Sequence, residues 1–317
     1  MGFSERLRSG VAGGFSREGL LEVLECPDSD LPMVFALARE VRSAHSGDRA
    51  FLRAVLEFSN SCRCNCLYCG MRRDNAGARR FRLGAAEILG IARKVADDGI
   101  RTFFLQSAET EEYDAGWLAG IIRSVASMGL EVLLCVGVRD ESDLDLWREA
   151  GATKFILKHE TSDPVLFASM KPGLTLGDRL RWLRTLRSHG FQIGSGPLLG
   201  LPGQTTGSLA DDILLMRDLG VSMSSVSVFL PADGTPLGEA PPGSVDLGLR
   251  FIAAMRLALG GTLIPATSTF ERLRPGGQLD CFRAGANVIT VNTTPPALRD
   301  DYELYSRRYY VGLEHAR

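Results

Sequence analysis

Residues 49–70 read RAFLRAVLEFSNSCRCNCLYCG. Positions 52–58 form an apolar, strand-like run. Immediately after it, four of the seven cysteines, Cys62, Cys64, Cys66 and Cys69, fall within eight residues. A strand that runs straight into a loop of thiols puts its chemistry at a C-terminal strand end, which is where barrels of alternating strands and helices keep their active sites.

The pattern repeats outward from this stretch. Strand-like runs are expected at 52–58, 102–106, 132–136, 154–157, 192–194, 224–229, 262–264 and 288–291. Helix-period segments separate them at 85–98, 116–128, 142–150, 176–189, 208–219 and 245–259, with a weaker one at 279–284. Strands alternating with helices of 10–15 residues imply βαβ units and a parallel sheet. Eight of them imply an α/β fold closed as a (β/α)8 TIM-type barrel. Gly99, Gly129, Gly151, Gly190 and Gly220 stand where helices end before a strand, as C-cap glycines do. Residues 1–48 read as a short helical N-terminal extension, with amphipathic stretches at 17–24 and 33–44, and 49–317 as the barrel. No linker or low-complexity tract suggests a further domain.

Composition narrows the function classes. Lys and Arg number 36 against 38 Asp and Glu, so no field is available to hold nucleic acid or an anionic bilayer. One local basic run, Arg72, Arg73, Arg79, Arg80 and Arg82, reads either as a solvated loop or as a helper beside a bound anion. No stretch approaches the roughly 18 apolar residues of a membrane helix, and the opening MGFSERLRSG has no export core. The expectation is a cytoplasmic protein without nucleic-acid or membrane partners. Clustered cysteines in a long chain of this kind point to metal or redox chemistry rather than a disulfide framework.

Three thiolates at C-x3-C-x2-C spacing can ligate three irons of a [4Fe–4S] cube and leave the fourth iron open. Two other readings stay available. All four thiols could close a zinc tetrahedron, although structural zinc sites usually draw ligand pairs from separated segments. Cys66 and Cys69 could act as a C-x2-C redox pair. Cys64 is expected to be a non-ligand.

The 49–70 stretch, with an aromatic before its last cysteine, resembles the cluster loop of the radical S-adenosylmethionine (SAM) superfamily. Further stretches extend the likeness over nearly the whole chain: CLYCGMRRDN at 66–75, FLQS at 104–107, KHETSDPVLFASMKP at 158–172, GSGPLLGLPGQT at 194–205, LIPAT at 263–267, AGANVI at 284–289 and DYELY at 301–305. Within the superfamily they are most similar to the HydE-like group of [FeFe]-hydrogenase maturases, with methylornithine synthase and biotin synthase as near relatives. The resemblance implies a [4Fe–4S] cluster on Cys62, Cys66 and Cys69. It also implies SAM as cofactor, cleaved reductively to a 5′-deoxyadenosyl radical that acts on a small anionic substrate.

By the same resemblance, Glu160 holds the SAM ribose, Arg179 the methionyl carboxylate and Glu109 the methionyl amine. Tyr68 offers a main-chain contact, and Gly196 and Gly200 allow close approach of the adenine. Glu160 and Arg179 would each also pass as surface groups, and His159 is expected to support the site from outside or to be structural. For the substrate, Arg53 and Gln106 are expected to point into the barrel beside Thr267 and Thr269, with Tyr302 and Tyr305 from the closing segment. A buried arginine is costly unless it meets an anion or partner, so Arg53 reads as an anion hook. The implied partners are a low-potential electron donor of flavodoxin or ferredoxin type and other maturation proteins.

Some departures stand against a strict HydE reading. No cysteine beyond Cys281 could hold an accessory cluster, Ala108 replaces a glycine before Glu109, and Thr290 occupies a position where methionine is expected. They leave open a related enzyme acting on a different amino-acid-derived or thiol substrate. A non-catalytic iron–sulfur or zinc protein is the alternative from another class.

Overall fold

The computed structural model describes residues 2–317. Its frame is a parallel sheet built from β1 (Phe51–Ser59), β2 (Thr102–Ser107), β3 (Glu131–Cys135), β4 (Ala152–Ile156), β5 (Gln192–Ser195), β7 (Met223–Ser224) and β9 (Val288–Asn292), in the order β7-β5-β4-β3-β2-β1-β9. Two short strands, β6 (Leu198–Leu199) and β8 (Ser227–Val228), pair with each other above it. The expected strand at 262–264 is present only as a seam. Leu263 bridges Met223 and Pro265 bridges Val288, both in parallel, and these two contacts join the sheet edges into a ring. The expected 224–229 strand is broken into β7 and β8, which belong to different sheets, as the chain turns over the barrel rim.

The helices are α1 (Phe3–Gly13), α2 (Arg17–Leu24), α3 (Leu31–Ser46), α4 (Ala85–Asp97), α5 (Ala115–Ser127), α6 (Glu141–Ala150), α7 (Pro164–Met170), α8 (Leu176–Ser188), α9 (Thr206–Leu219), α10 (Val245–Leu259), α11 (Ser268–Leu273), α12 (Gly277–Arg283), α13 (Pro296–Arg299) and α14 (Leu313–Ala316). Sequence periodicity alone missed α1, α7, α11, α13 and α14. α7 is short, but it begins in a readable way: Asp163 accepts from the amides of Val165 and Leu166, and Pro164 follows it. The first three helices pack on α9 and α10.

Alternation along β1 separates two cores. Ala54, Leu56 and Phe58 join the large core between strands and helices, whereas Val55 packs inside the ring with Phe104, Leu133, Ile156 and Met223. Side chains two apart on a strand share a face, so Arg53 and Glu57 share the inward face with Val55. The register with β2 shifts between Glu57 and Ser59. Bulges of this sort bend a strand at a barrel rim and redirect the chain beyond it, here the cysteine loop.

Candidate active site

Above the inner core lies a cavity of about 380 Å³ at the C-terminal ends of the strands. Cys62, Cys64, Cys66 and Cys69 all reach it, together with Arg53, Gln106, Tyr68, Glu109, Glu160, Arg179, Thr267, Thr269, Tyr302 and Tyr305. The chain therefore brings together almost every side chain singled out from the sequence. Gly196 and Gly200 stand outside this wall. A β-carbon on Gly196 would lie 1.6 Å from the Ser225 carbonyl oxygen, and one on Gly200 would lie 2.4 Å from Gly243 Cα. Close approach of protein backbone accounts for these two glycines.

The cysteine loop is held by groups that gather its carbonyls. Arg80 donates to the carbonyls of Asn60, Met71 and Arg72 at 2.9, 2.8 and 2.8 Å. Asn60 Nδ2 donates to Asp301 O at 2.6 Å, and the Leu67 amide donates to Met170 O at 2.9 Å. Of the other members of the basic run, Arg73 pairs with Asp74, Arg79 with Asp301 and Arg82 lies over Trp117, while the buried Nε of Arg72 has no hydrogen-bond partner among the described residues. None of the five faces the cavity.

All four loop thiols are free, and among the described residues no group of three or more His, Cys, Asp or Glu converges as a single ion would require. Three free thiols of one loop reaching one cavity are the donor set that a [4Fe–4S] cube with an open fourth iron requires. A hydrogen bond from Cys64 draws the Cys62 thiol down to about 6 against the cost of burial. The same bond, with burial, pushes Cys64 up. Burial raises Cys69 to about 12.

Five cations line the cavity, Arg53, Lys158, Lys171, Arg179 and Arg308, against three carboxylates, Glu57, Glu109 and Glu160. The excess of positive charge suits anionic ligands. Glu160 lies 3.6 Å from Lys158 Nζ and 3.5 Å from Lys171 Nζ. Burial alone would raise its carboxyl, yet Lys158, Lys171 and Arg179 overcome that and hold it at about 2. Its backbone is left-handed, with φ of 66°, a conformation that costs a non-glycine residue about 1–3 kcal/mol. Glu109 sits 4.0 Å from Arg179 and 3.2 Å from Arg63. An acid and a guanidinium side by side match the ammonium and carboxylate of an amino-acid zwitterion.

Deeper in the barrel, Arg53 donates from Nε to Thr290 Oγ1 at 2.8 Å, contacts the Met223 sulfur through Nη1, and lies 5.0 Å over the Phe104 ring. Burial lowers it to about 10. No carboxylate pairs with it among the described residues. The hydroxyls of Thr267 and Thr269 are engaged with the 226–228 backbone: Thr267 donates to Val226 O at 3.1 Å, and the Val228 amide donates to Thr269 at 3.2 Å. Tyr302 is buried beside Gln106, and the Tyr305 hydroxyl meets Ser268 Oγ at 3.1 Å.

Sequence reasoning missed Lys158, Lys171, Glu57 and Arg308. Two signals were present. Glu57 has the inward parity of Arg53 along β1, and the two lysines bracket the 158–172 stretch.

Comparison with known proteins gives this architecture its class. Residues 56–216 match the model of the radical SAM superfamily. The chain is 39% identical over 298 residues to the [FeFe] hydrogenase maturase subunit HydE of Thermotoga maritima, covering 94% of this chain and 86% of that protein. It is 29% identical over 266 residues to 3-methylornithine synthase of Methanosarcina acetivorans, covering 83% and 75%. The crystal structure of methylornithine synthase superposes with a TM-score of 0.83 at 26% identity, over 95% of this chain and 90% of that one. HydG, another maturase of the [FeFe]-hydrogenase, superposes with a TM-score of 0.84 at 19% identity, over 95% and 70%, and shares the fold.

The chain belongs to the radical SAM superfamily, within its HydE-like group. It is a radical SAM enzyme, of a family that uses a [4Fe–4S] cluster and SAM, takes a small-molecule substrate and draws on a reductant. No helix among the described residues is long and apolar enough to cross a membrane.

Proposed function

We propose that this enzyme acts on a small anionic substrate, as a HydE-like maturase would, with Arg53 as the anion hook inside the barrel. The carrying observation is the buried Arg53 guanidinium, which has no carboxylate partner among the described residues and shares one cavity with the four loop thiols. Leaving such a charge buried is expensive, and an anionic ligand offsets the expense.

In this reading Cys62, Cys66 and Cys69 hold the cluster, and Cys64 donates a hydrogen bond to Cys62. Glu109 and Arg179 grip the two ends of the methionyl zwitterion, and Glu160 takes the ribose hydroxyls. When bound, the cluster and SAM supply a 5′-deoxyadenosyl radical by one-electron reduction. The chain's own work is to orient and to exclude water. Gln106 and Tyr302 face the substrate space, and Leu304, Tyr305 and Tyr309 line it from the segment that crosses the barrel mouth. Residues 1–48 are the helical extension and 49–317 the catalytic barrel. A cytoplasmic setting, a flavodoxin- or ferredoxin-type donor and companion maturation proteins complete the proposal.

Anaerobic reconstitution tests it. The expected result is a brown protein that converts SAM to 5′-deoxyadenosine after reduction. Its Arg53→Gln variant should keep uncoupled SAM cleavage while losing substrate turnover. A colourless, zinc-loaded protein would sink the reading.

A second reading is favoured by one contact. Thr290, at the position expected to carry methionine, accepts the hydrogen bond from Arg53 Nε. A changed partner beside the hook re-aims it, and this points to an enzyme with a different amino-acid-derived or thiol substrate. Turnover of such a substrate, and not of the small anionic substrate of a HydE-like maturase, would separate the two.

A further inference from the structure

Glu160 reaches the cavity from a strained backbone, and the side chains of His159, Ser195 and Asp212 that hold the chain beside it lie outside the cavity wall. Its amide donates to Gly196 O at 3.3 Å, and its carbonyl accepts from the Leu198 amide at 2.9 Å. The neighbouring His159 is fully buried, with Nδ1 2.9 Å from Ser195 Oγ and Nε2 3.2 Å from Asp212 Oδ1. Ser195 Oγ also donates to Leu157 O at 2.9 Å and accepts from the His159 amide at 3.1 Å. Asp212, on α9, accepts from the Ser162 amide at 2.5 Å. Residues 157–162 are therefore stapled at one end by a buried serine and at the other by a buried aspartate, with the His159 ring spanning the two.

A core built for stability alone would fill this space with apolar side chains, since a buried ionisable group is costly unless fully paired. Here Asp212 Oδ2 has no hydrogen-bond partner among the described residues. Strain kept in place by over-determined surroundings marks functional positions.

We propose that His159, Asp212 and Ser195 form a positioning device whose purpose is to hold Glu160 in its left-handed backbone with the carboxylate turned into the cavity, and thereby to set affinity for SAM. The inference rests on the ribose reading of Glu160. His159 touches neither cofactor nor substrate and acts only through its neighbour.

The test is a double-mutant cycle on the reconstituted holoprotein, with SAM affinity and kcat at saturating SAM as separate readouts. His159→Ala should weaken SAM binding about tenfold and leave saturating kcat within about twofold. In a Glu160→Ala background, the same change should weaken it no further. His159→Gln, which keeps hydrogen-bonding capacity, should recover part of the loss. Asp212→Asn, nearly isosteric, serves if the alanine variant does not fold, with the same split expected. Equal losses in both backgrounds, or a loss confined to kcat, would overturn the positioning role while leaving the ribose reading intact. Unchanged SAM affinity in Glu160→Ala alone would overturn the ribose reading and this inference with it.

Discussion

The Glu57 carboxylate and the Arg308 guanidinium meet at 2.6 Å inside the barrel mouth, both almost excluded from solvent, although 251 residues separate them in the chain. Asn292 and Thr294 complete the shell around the carboxylate, each at 3.1 Å. Arg308 lies over the rings of Tyr302, Tyr305 and Tyr310 at 5.5, 5.9 and 5.1 Å. This pair ties the first strand to the segment that closes the cavity.

Removing one member of such a pair strands the other charge in a dry site. Arg308→Ala should therefore cost about 3–5 kcal/mol, visible as a lowered thermal midpoint of the folded protein. Replacing both members, Glu57→Gln with Arg308→Met, should restore much of the loss. A single variant as stable as the parent would show that the pair contributes nothing.

The cysteine assignment predicts an asymmetry. Cys66→Ala should lose the visible absorption of the reconstituted cluster and all SAM cleavage. Cys64→Ala should retain both at a reduced level, because it removes only a hydrogen bond to Cys62. Equal loss in the two variants would mean that the ligand set is wrong.

Glu160 sets a pH expectation. Its folded value, about 2, lies below the ordinary 4.5, so the stability it contributes is complete above about pH 5 and is lost as the pH falls toward 2. SAM affinity should therefore show no Glu160 titration above about pH 5, as measured by calorimetry across pH. Lys171→Met removes one of the cations responsible, and it should move the acid limb of that profile upward.

Gly196 predicts intolerance of a single methyl group. With the Ser225 carbonyl oxygen 1.6 Å from any β-carbon, Gly196→Ala forces the 196–198 and 225–228 segments apart, at a cost of about 2–4 kcal/mol. SAM binding should weaken as well, since the Gly196 carbonyl accepts the Glu160 amide. Thermal denaturation and SAM titration of the one variant check both.

The barrel and its cysteine loop were legible because strand parity and strand ends are local properties. Arg53, Gln106 and the cysteines fall where the alternation along β1 and β2, and the ends of those strands, put them. Arg308 and Lys171 were not legible, because long cations read as solvated surface in a sequence and only the packing of the closing segment and α7 buries them. The threonines at 267 and 269 were legible as cavity residues, but not as groups whose hydroxyls tie down the 226–228 backbone, since that task depends on where the 224–229 run breaks.

The stave at 262–266 meets the ring through one isolated bridge on either side, closed by the Leu263 and Ser224 amides toward β7 and by the Ala266, Asn287 and Val288 amides toward β9, while β1 and β2 share a ladder from Arg53 to Ser59. A short join has less to break than a long ladder, so the barrel breathes more easily here than between β1 and β2. It lies beside Thr267 and Thr269, across the sheet order from β2 and β3. Loosening there would open the threonine side of the wall, with β9 standing between the join and the strand that carries the cysteine loop.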